Sequence, residues 1–382
     1  MRRYAAYDPP EYVSWSPDAG LIQEFAEQVS ACPERAREIR TLSSAGHLDL
    51  YRGLLRSRLV DIVLARWVKQ GVIAKAWLGT GEEAVTIGAV HALDRRAADG
   101  DFVGPMIRNS NGANHEMGVP IVGLLRSYLA TEDSPLGGRD VHVGDLRCGV
   151  CPPISMVAAL GTVMNGFALA FRVRKEPRVA LTWVGDGATK NGEAHEAFSF
   201  AAALSLPIIF IIQNNQVALG TRSNQHHVPP DFQDWGRAYG IPLQSADGNH
   251  VLDMYAATRL AAEYCRAGNG PAMIEAKTFR MGGHATHDVK EARATFSPDL
   301  FQEWGRRDPI GLYEEFLAGS EIDLTGGVEG DMELHNRATM AKVESEVEAE
   351  VESAAEKALV SREMNMPDSD TIALNVYAME AK

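Results

Sequence analysis

The chain has 382 residues, of which 45% are hydrophobic, so it can bury one large core or two modest ones. Its formal net charge of −14 argues against a nucleic-acid-binding protein, because phosphates are bound by clustered Lys and Arg side chains. The four cysteines are too few for a disulfide scaffold, and the N-terminal residues lack the apolar stretch of a secretory peptide, so we expect a protein of the reducing cytoplasm.

The first part of the chain divides into a poorly periodic segment and two predicted helices. Residues 1–47 show no regular pattern, and we interpret them as an N-terminal extension that wraps another surface. Apolar residues then recur at helical spacing over 48–70, which predicts an amphipathic helix and the start of a main domain, 48–320. A second helix is predicted over 82–93, after the turn Gly79-Thr80-Gly81.

Two long stretches without charge, 149–171 and 197–221, have the length of membrane spans. However, Pro152 and Pro153 interrupt the first stretch, and Pro207 splits the second. We therefore predict buried elements of a soluble core and no membrane association.

Strands alternate with helices through the middle of the chain. In chain order we predict a helix over 155–172, a strand over 178–184, a helix over 193–204, a strand over 208–212, a helix over 231–239, a strand over 242–246, a helix over 251–266 and a strand over 272–277. This alternation predicts βαβ units, and therefore an α/β fold with a parallel sheet flanked by helices.

The last part of the chain, 321–382, is predicted as an acidic helical tail. Its glutamates are Glu344, Glu346, Glu348, Glu350, Glu352 and Glu356. Such a run is typical of a solvated helix face, and a partner-binding helix is the alternative. Elsewhere, Cys148 and Cys151 form a CxxC with no second pair, which favours structural or incidental thiols over a metal site.

Polar residues follow two neighbouring predicted strands. Gly185-Asp186-Gly187 ends one strand, and Gln213-Asn214-Asn215 ends the next, at the edge where parallel sheets bind ligands. The glycines allow a sharp turn and a close approach to a ligand, and backbone N–H groups after them suit a phosphate. Asp186, Asn215 and the carbonyl of Val217 offer three hard oxygens, so we predict a magnesium diphosphate site.

The same residues resemble a known family. Gly185-Asp186-Gly187, 26 further residues and then Asn214-Asn215 are similar to the thiamine diphosphate fingerprint. The nearest pattern is that of alpha subunits of the decarboxylating component in pyruvate and branched-chain 2-oxo acid dehydrogenase complexes. The resemblance implies a thiamine diphosphate-binding fold of the pyrophosphate type, in which Gly185, Gly187 and Ala188 contact the diphosphate and Asp186, Asn215 and Val217 bind magnesium.

Further positions resemble the family outside this stretch. Gly81-Glu82-Glu83-Ala84 is similar to its Gly-Gln-Glu-Ala turn, and Arg108 stands where an arginine holds the diphosphate. Ile107 replaces the tyrosine that precedes this arginine in the family. Ser155 and Val157 stand in the segment that touches the aminopyrimidine ring.

The segment from Thr278 to His284 resembles a mobile family loop whose histidine reaches the diphosphate and the reaction intermediate. This implies a catalytic and cofactor-binding role for His284. Ala285 replaces a serine that kinases modify in some members. We predict that residues 285–296 are polar and poorly structured.

The resemblance implies a 2-oxo acid dehydrogenase that uses thiamine diphosphate and Mg²⁺. It implies decarboxylation of a branched-chain 2-oxo acid or pyruvate and transfer of the acyl group to a lipoyl-bearing acyltransferase core. One diphosphate-binding module is present, so we expect a beta subunit to complete an α2β2 heterotetramer. The run 192–198 leans toward the branched-chain members, and acetoin dehydrogenase is an alternative.

Two other classes compete with this interpretation. A dinucleotide-binding oxidoreductase would need glycine at position 190, where the chain has Lys190. A non-catalytic scaffold or regulatory paralogue is favoured by Ile107 and Ala285. It is disfavoured by the presence of Asp186, Asn215, Arg108 and His284.

Overall fold

A computed structural model describes residues 15–97, 99–229, 231–327 and 330–371. The helices are α1 Ala19–Ala31, α2 Pro33–Ile39, α3 Ser44–Lys69, α4 Glu83–His91, α5 Ser110–Glu116, α6 Ile121–Tyr128, α7 Leu160–Arg174, α8 Gly192–Ala203, α9 Ser223–His226, α10 Gln233–Tyr239, α11 Val251–Arg266, α12 Val289–Thr295, α13 Pro298–Arg306, α14 Pro309–Gly319 and α15 Met332–Met364. The strands are β1 Phe102–Gly104, β2 Ala180–Gly185, β3 Ile208–Asn214, β4 Val217–Ala218, β5 Thr221–Arg222, β6 Leu243–Asp247 and β7 Ala272–Lys277.

Five strands form a parallel sheet in the order β1-β2-β3-β7-β6, which confirms the predicted α/β class. Gly185 at the end of β2 lies beside Gln213 of β3, and Asn214 at the end of β3 lies beside Lys277 of β7. The carboxyl ends of the three central strands therefore meet at one edge of the sheet, where the candidate site lies.

Both faces of the sheet are covered by helices, which explains why β3 is apolar without alternation. Leu181 and Ile209 belong to the cluster that packs against α4 and α11, whereas Val184 and Phe210 pack with residues of α7 and α8. A third layer, built mainly from α3, α14 and α15, packs outside α4 and α11.

Part of the predicted N-terminal extension packs against the chain's own core. Helices α1 and α2 contact α14 and α11, and Phe25 stacks on His250 with ring centroids 3.5 Å apart. The surface that residues 15–47 cover therefore includes the chain's own helices. Short helices such as α2 give too few turns for a periodic pattern to appear.

The acidic tail contains a long helix that faces the rest of the chain. Val343, Val347 and Val351 of α15 are buried against the core. On its flank, Glu350 pairs with Arg56 at 2.9 Å and Glu352 pairs with Arg66 at 2.8 Å, both on α3. Part of the glutamate run is thus paired within the chain.

Two predicted elements differ from the structure. The predicted helix over 155–172 begins only at Leu160, because Ala158 has a φ of +66°, which interrupts a right-handed helix. The segment 285–296, predicted as poorly structured, contains α12 and buries Ala292 and Phe296 beside Phe279. Within the described ranges, no helix has both the length and the apolar character that a membrane crossing requires.

Candidate functional site

A cavity of about 470 Å³ opens at the carboxyl ends of β2 and β3. All ten residues predicted for the site line it: Arg108, Ser155, Val157, Gly185, Asp186, Gly187, Ala188, Asn215, Val217 and His284. They come from five separate segments of the chain. The fold brings together residues up to 176 positions apart, since Arg108 donates a hydrogen bond to the carbonyl of His284.

Asp186 is held from two sides at the end of β2. Its backbone N–H donates to the carbonyl of Gln213 on β3 at 3.2 Å, which ties the two strand ends together. Its carboxylate is almost fully buried, and Oδ2 accepts a hydrogen bond from Ser223 Oγ at 2.5 Å, with His226 Nε2 at 3.5 Å. Ser223 and His226 begin and end α9, and no motif in the sequence marked them.

Asn215 is oriented by a buried carboxylate. Its Nδ2 donates to Glu82 Oε2 at 3.0 Å, and Gln213 Nε2 donates to the same oxygen. Because an ionised carboxylate only accepts, the Asn215 amide has its NH₂ toward Glu82 and its Oδ1 turned away. The Glu82 side chain has no exposed surface, and the sequence pointed to its turn but not to this contact.

The Asn215 Oδ1 atom is buried and has no hydrogen-bond partner among the described residues. An unpaired buried acceptor costs about 1–3 kcal/mol, so such an atom marks a place for a donor or a cation. Asp186, Asn215 and the carbonyl of Val217 are oxygen donors of the kind that Mg²⁺ prefers, and they line the same cavity.

The described residues contain no group of three or more His, Cys, Asp or Glu side chains suited to a metal ion. The donor set at Asp186 has only one carboxylate, so its other oxygens come from an amide and a backbone carbonyl. Such a set suits a hard cation that takes further oxygens from a phosphate and water. The CxxC cysteines Cys148 and Cys151 are free thiols.

Two arginines also line the cavity. Arg108 donates to the carbonyls of Leu78 at 2.5 Å and His284 at 3.0 Å, and its Nε lies 3.6 Å from Glu82 Oε1. It therefore joins the segment before α4 to the segment after β7. Arg280, which the sequence-based prediction did not include, also lines the cavity and is only 2% exposed.

His284 is expected to be neutral at pH 7. Burial, followed by the nearby charges of Arg108 and Arg280, lowers the pKa of its imidazole from 6.5 to about 4. Because the folded-state pKa lies below the unfolded value, the neutral ring favours folding above pH 6.5, and this contribution is lost as the pH falls toward 4.

A titration of the histidine resonances by NMR should place the pKa of His284 near 4, and an anion bound in the cavity should raise this pKa. A midpoint near 6.5 without ligand would contradict the expectation.

Ser155 belongs to a hydrogen-bonded chain that reaches the surface. Ser155 Oγ lies 2.9 Å from His142 Nε2, and His142 Nδ1 lies 2.6 Å from Asp140 Oδ1. In the tautomer whose Nδ1 donates to the carboxylate, Nε2 accepts from the serine hydroxyl, and the serine oxygen is left as an acceptor. Val157, two residues on, is 55% exposed at the edge of the cavity.

The two glycines around Asp186 have different surroundings. A Cβ on Gly187 would lie 2.2 Å from Ala218 Cβ, whereas a Cβ on Gly185 would meet nothing closer than 3.8 Å. Gly187 has a φ of −70°, so what it needs is space and not a left-handed backbone. The 3-10 turn Ala188–Lys190 follows it, and α8 begins only at Gly192.

We expect Gly187→Ala to destabilise the protein and Gly185→Ala to be nearly neutral. The added methyl at 187 must displace the β4–β5 hairpin, and such overpacking costs about 1–3 kcal/mol. Urea unfolding of the two variants, measured side by side, tests this, with Gly185→Ala as the matched control. Equal stabilities would show that the hairpin moves freely.

Sequence comparison identifies the relatives of the chain. Residues 51–366 match the family described as "Dehydrogenase E1 component". The 3-methyl-2-oxobutanoate dehydrogenase subunit alpha of Mycobacterium tuberculosis is 32% identical over 70% of this chain and 69% of its own. The pyruvate dehydrogenase E1 component subunit alpha of Acholeplasma laidlawii is 29% identical over 71% and 74% of the two chains. The 2-oxoisovalerate dehydrogenase subunit alpha of Bacillus subtilis is 29% identical over 82% and 93%.

Proposed function

The chain belongs to the dehydrogenase E1 component family, and on this basis we propose that it is the alpha subunit of a 2-oxo acid dehydrogenase that binds thiamine diphosphate through Mg²⁺. The observation that carries the proposal is the Asn215 Oδ1 atom, which is buried in the same cavity as Asp186 and has no hydrogen-bond partner in the part of the chain that the structure describes. A carboxylate and an amide oxygen at adjacent strand ends fit a cation, and the arginines that line the same cavity fit its anionic ligand.

In this proposal each predicted residue has one task. Asp186, Asn215 and the Val217 carbonyl hold Mg²⁺, while Gly185, Gly187, Ala188, Arg108 and His284 surround the diphosphate. Ser155 and Val157 would lie against the aminopyrimidine ring, where the Ser155 oxygen would accept a hydrogen bond. Thiamine diphosphate supplies the electron sink that lets carbon dioxide leave a 2-oxo acid.

The proposal includes a beta subunit that completes the site in an α2β2 assembly. Apolar side chains at the edge of the cavity support it: Met156 is 68% exposed, Val157 55% and Leu219 57%. Exposed apolar side chains grouped at a cavity edge are typical of a surface that another chain covers. The proposal also includes a second partner, a lipoyl-bearing acyltransferase core, which receives the acyl group that remains after the 2-oxo acid has lost carbon dioxide.

The substrate class proposed is a 2-oxo acid, branched-chain or pyruvate. Relatives named for both 3-methyl-2-oxobutanoate and pyruvate match the chain to similar extents. The cavity wall contains Ile107, Leu160 and Trp77, so the part of the cavity that is not polar suits an aliphatic group.

The full-length chain should be assayed alone and after co-purification with its beta subunit, with Mg²⁺ and thiamine diphosphate present. We expect little decarboxylation by the chain alone and a normal rate in the assembly. The branched-chain 2-oxo acid and pyruvate are compared in the same assay. A normal rate without any partner would overturn the two-chain assignment, and no magnesium-dependent binding of thiamine diphosphate to either preparation would overturn the cofactor assignment.

A further inference from the structure

Arg280 is a buried cation that forms no ion pair with the described residues. It follows β7 and is only 2% exposed, yet it lines the cavity. Its Nε donates to the carbonyl of Gly282 at 2.9 Å, and its Nη2 donates to the carbonyl of Leu219 at 2.9 Å. Both partners are neutral, and no carboxylate of the described residues forms an ion pair with this guanidinium.

The other charged side chains around the cavity either lie near a side chain of opposite charge or have a proposed ligand. Arg108 lies 3.6 Å from the Glu82 carboxylate, so these two charges offset each other. Asp186 meets a hydroxyl and an imidazole and is the proposed ligand of a cation. Among the described residues Arg280 has no ion pair of its own, and a buried charge is costly unless it is paired.

The surroundings of Arg280 are consistent with the missing ion pair. Burial, with Arg108 as the next cause, lowers the pKa of its guanidinium to about 10, although the more distant charges of Glu82, Glu291 and Asp186 act in the opposite direction. Its backbone N–H also donates to the carbonyl of Asn215 at 3.3 Å, so the residue is attached to the turn that carries the proposed metal ligand. Two carbonyls fix the plane of the guanidinium, and its Nη1 has no partner among the described residues.

We infer that Arg280 is an anion-binding residue of this cavity, whose fixed guanidinium takes the negative charge of the bound molecule. The inference rests on the proposed function for the source of the anion, which is the diphosphate of the cofactor or the carboxylate of the 2-oxo acid. A guanidinium held by two carbonyls is already in place for such a group, so little side-chain freedom is lost on binding.

The test compares Arg280→Gln and Arg280→Lys with the wild-type full-length chain by calorimetric titration. The ligands are Mg²⁺ with inorganic pyrophosphate, Mg²⁺ with thiamine diphosphate, and thiamine without phosphate. We expect Arg280→Gln to lose roughly tenfold to a hundredfold in affinity for the two phosphate ligands, the range for a lost charged hydrogen bond, with thiamine unchanged. Arg280→Lys should fall between, because it retains the charge without the fork.

A third measurement separates the two sources of the anion. If the anion is the substrate carboxylate, the KM for the 2-oxo acid in the assembled enzyme rises in Arg280→Gln, while phosphate affinities are unchanged. Unchanged affinities together with an unchanged KM would overturn the inference. So would an equal loss for thiamine and thiamine diphosphate, because a purely structural role affects both.

Arg222→Gln is the matched control. Arg222 also donates to a backbone carbonyl, that of Thr295, with Nε at 2.8 Å, but it is exposed and does not line the cavity. It should leave every affinity unchanged, and melting curves of all variants check folding. If the wild-type chain binds no thiamine diphosphate, the proposed function fails, while the pyrophosphate titration still decides the role of Arg280.

Discussion

The Asp186→Ala variant should lose magnesium-dependent binding of thiamine diphosphate. Asp186 is the single carboxylate that lines the cavity within the described residues, and Ser223 and His226 hold it in place. Loss of residues that merely orient a metal ligand costs 10–100-fold, so we expect loss of the ligand itself to cost at least about a hundredfold. Calorimetric titration at several magnesium concentrations measures both the affinity and its dependence on the metal.

Asp234→Ala provides the control for this experiment. Asp234 lies exposed on α10, where it bonds to Arg237 at 3.0 Å, so the variant removes an equal charge at a distance from the cavity. It should bind as the wild type does. Magnesium-dependent binding that persists in Asp186→Ala would remove the basis of the proposed function.

Of the substitutions proposed here, Arg58→Met should cause the largest loss of stability. Arg58 of α3 is fully buried and pairs with two fully buried carboxylates, Glu83 at the start of α4 and Asp308, 2.8 Å away, at the start of α14. Arg58→Met leaves both carboxylates buried without this partner, and breaking such a pair costs about 3–5 kcal/mol. Urea unfolding at pH 7 measures the change in the free energy of unfolding.

The free energy of unfolding lost in Arg58→Met should also depend on pH. Burial already raises the pKa of Glu83 and the Arg58 charge opposes that rise, so the pKa of Glu83 should be higher in the folded state of Arg58→Met. A raised folded pKa means that stability increases as the pH falls through that value, so the stability lost in Arg58→Met should become smaller as the pH is lowered from 7.

Arg56→Ala is the control for Arg58→Met, because the two arginines stand on the same helix. Arg56 pairs with Glu350 at the surface, and exposed pairs contribute about 0–1 kcal/mol. A similar loss of unfolding free energy in both variants would show that the buried ion pairs stabilise the protein no more than the surface pair does.

The elements with the clearest patterns were predicted well, and their edges less well. The helix predicted over 251–266 and the strand predicted over 272–277 match α11 and β7. The helix predicted over 155–172 began too early, since an apolar composition does not show a left-handed residue such as Ala158. Helices α1 and α2 and the short strand β1 were missed, because few residues carry each pattern.

By itself the sequence determined the sheet and the two turns of the candidate site. A continuous apolar strand that ends in Gly-Asp-Gly, and another that ends in Asn-Asn, require parallel neighbours with polar residues at one edge. Local pattern is enough for this, because strands and turns depend on residues close in the chain. The presence of Arg108 and His284 in the cavity followed only from the family resemblance.

Only the tertiary structure decided which charges meet around that edge. Glu82 reaches Asn215 across 133 positions, Ser223 reaches Asp186 across 37, and Arg280 bonds to the carbonyl of Leu219 across 61. Single polar residues have no periodicity, and contacts at such separations form only when the chain folds back on itself. The packing of the whole domain sets these contacts and leaves the Arg280 guanidinium without an ion pair among the described residues.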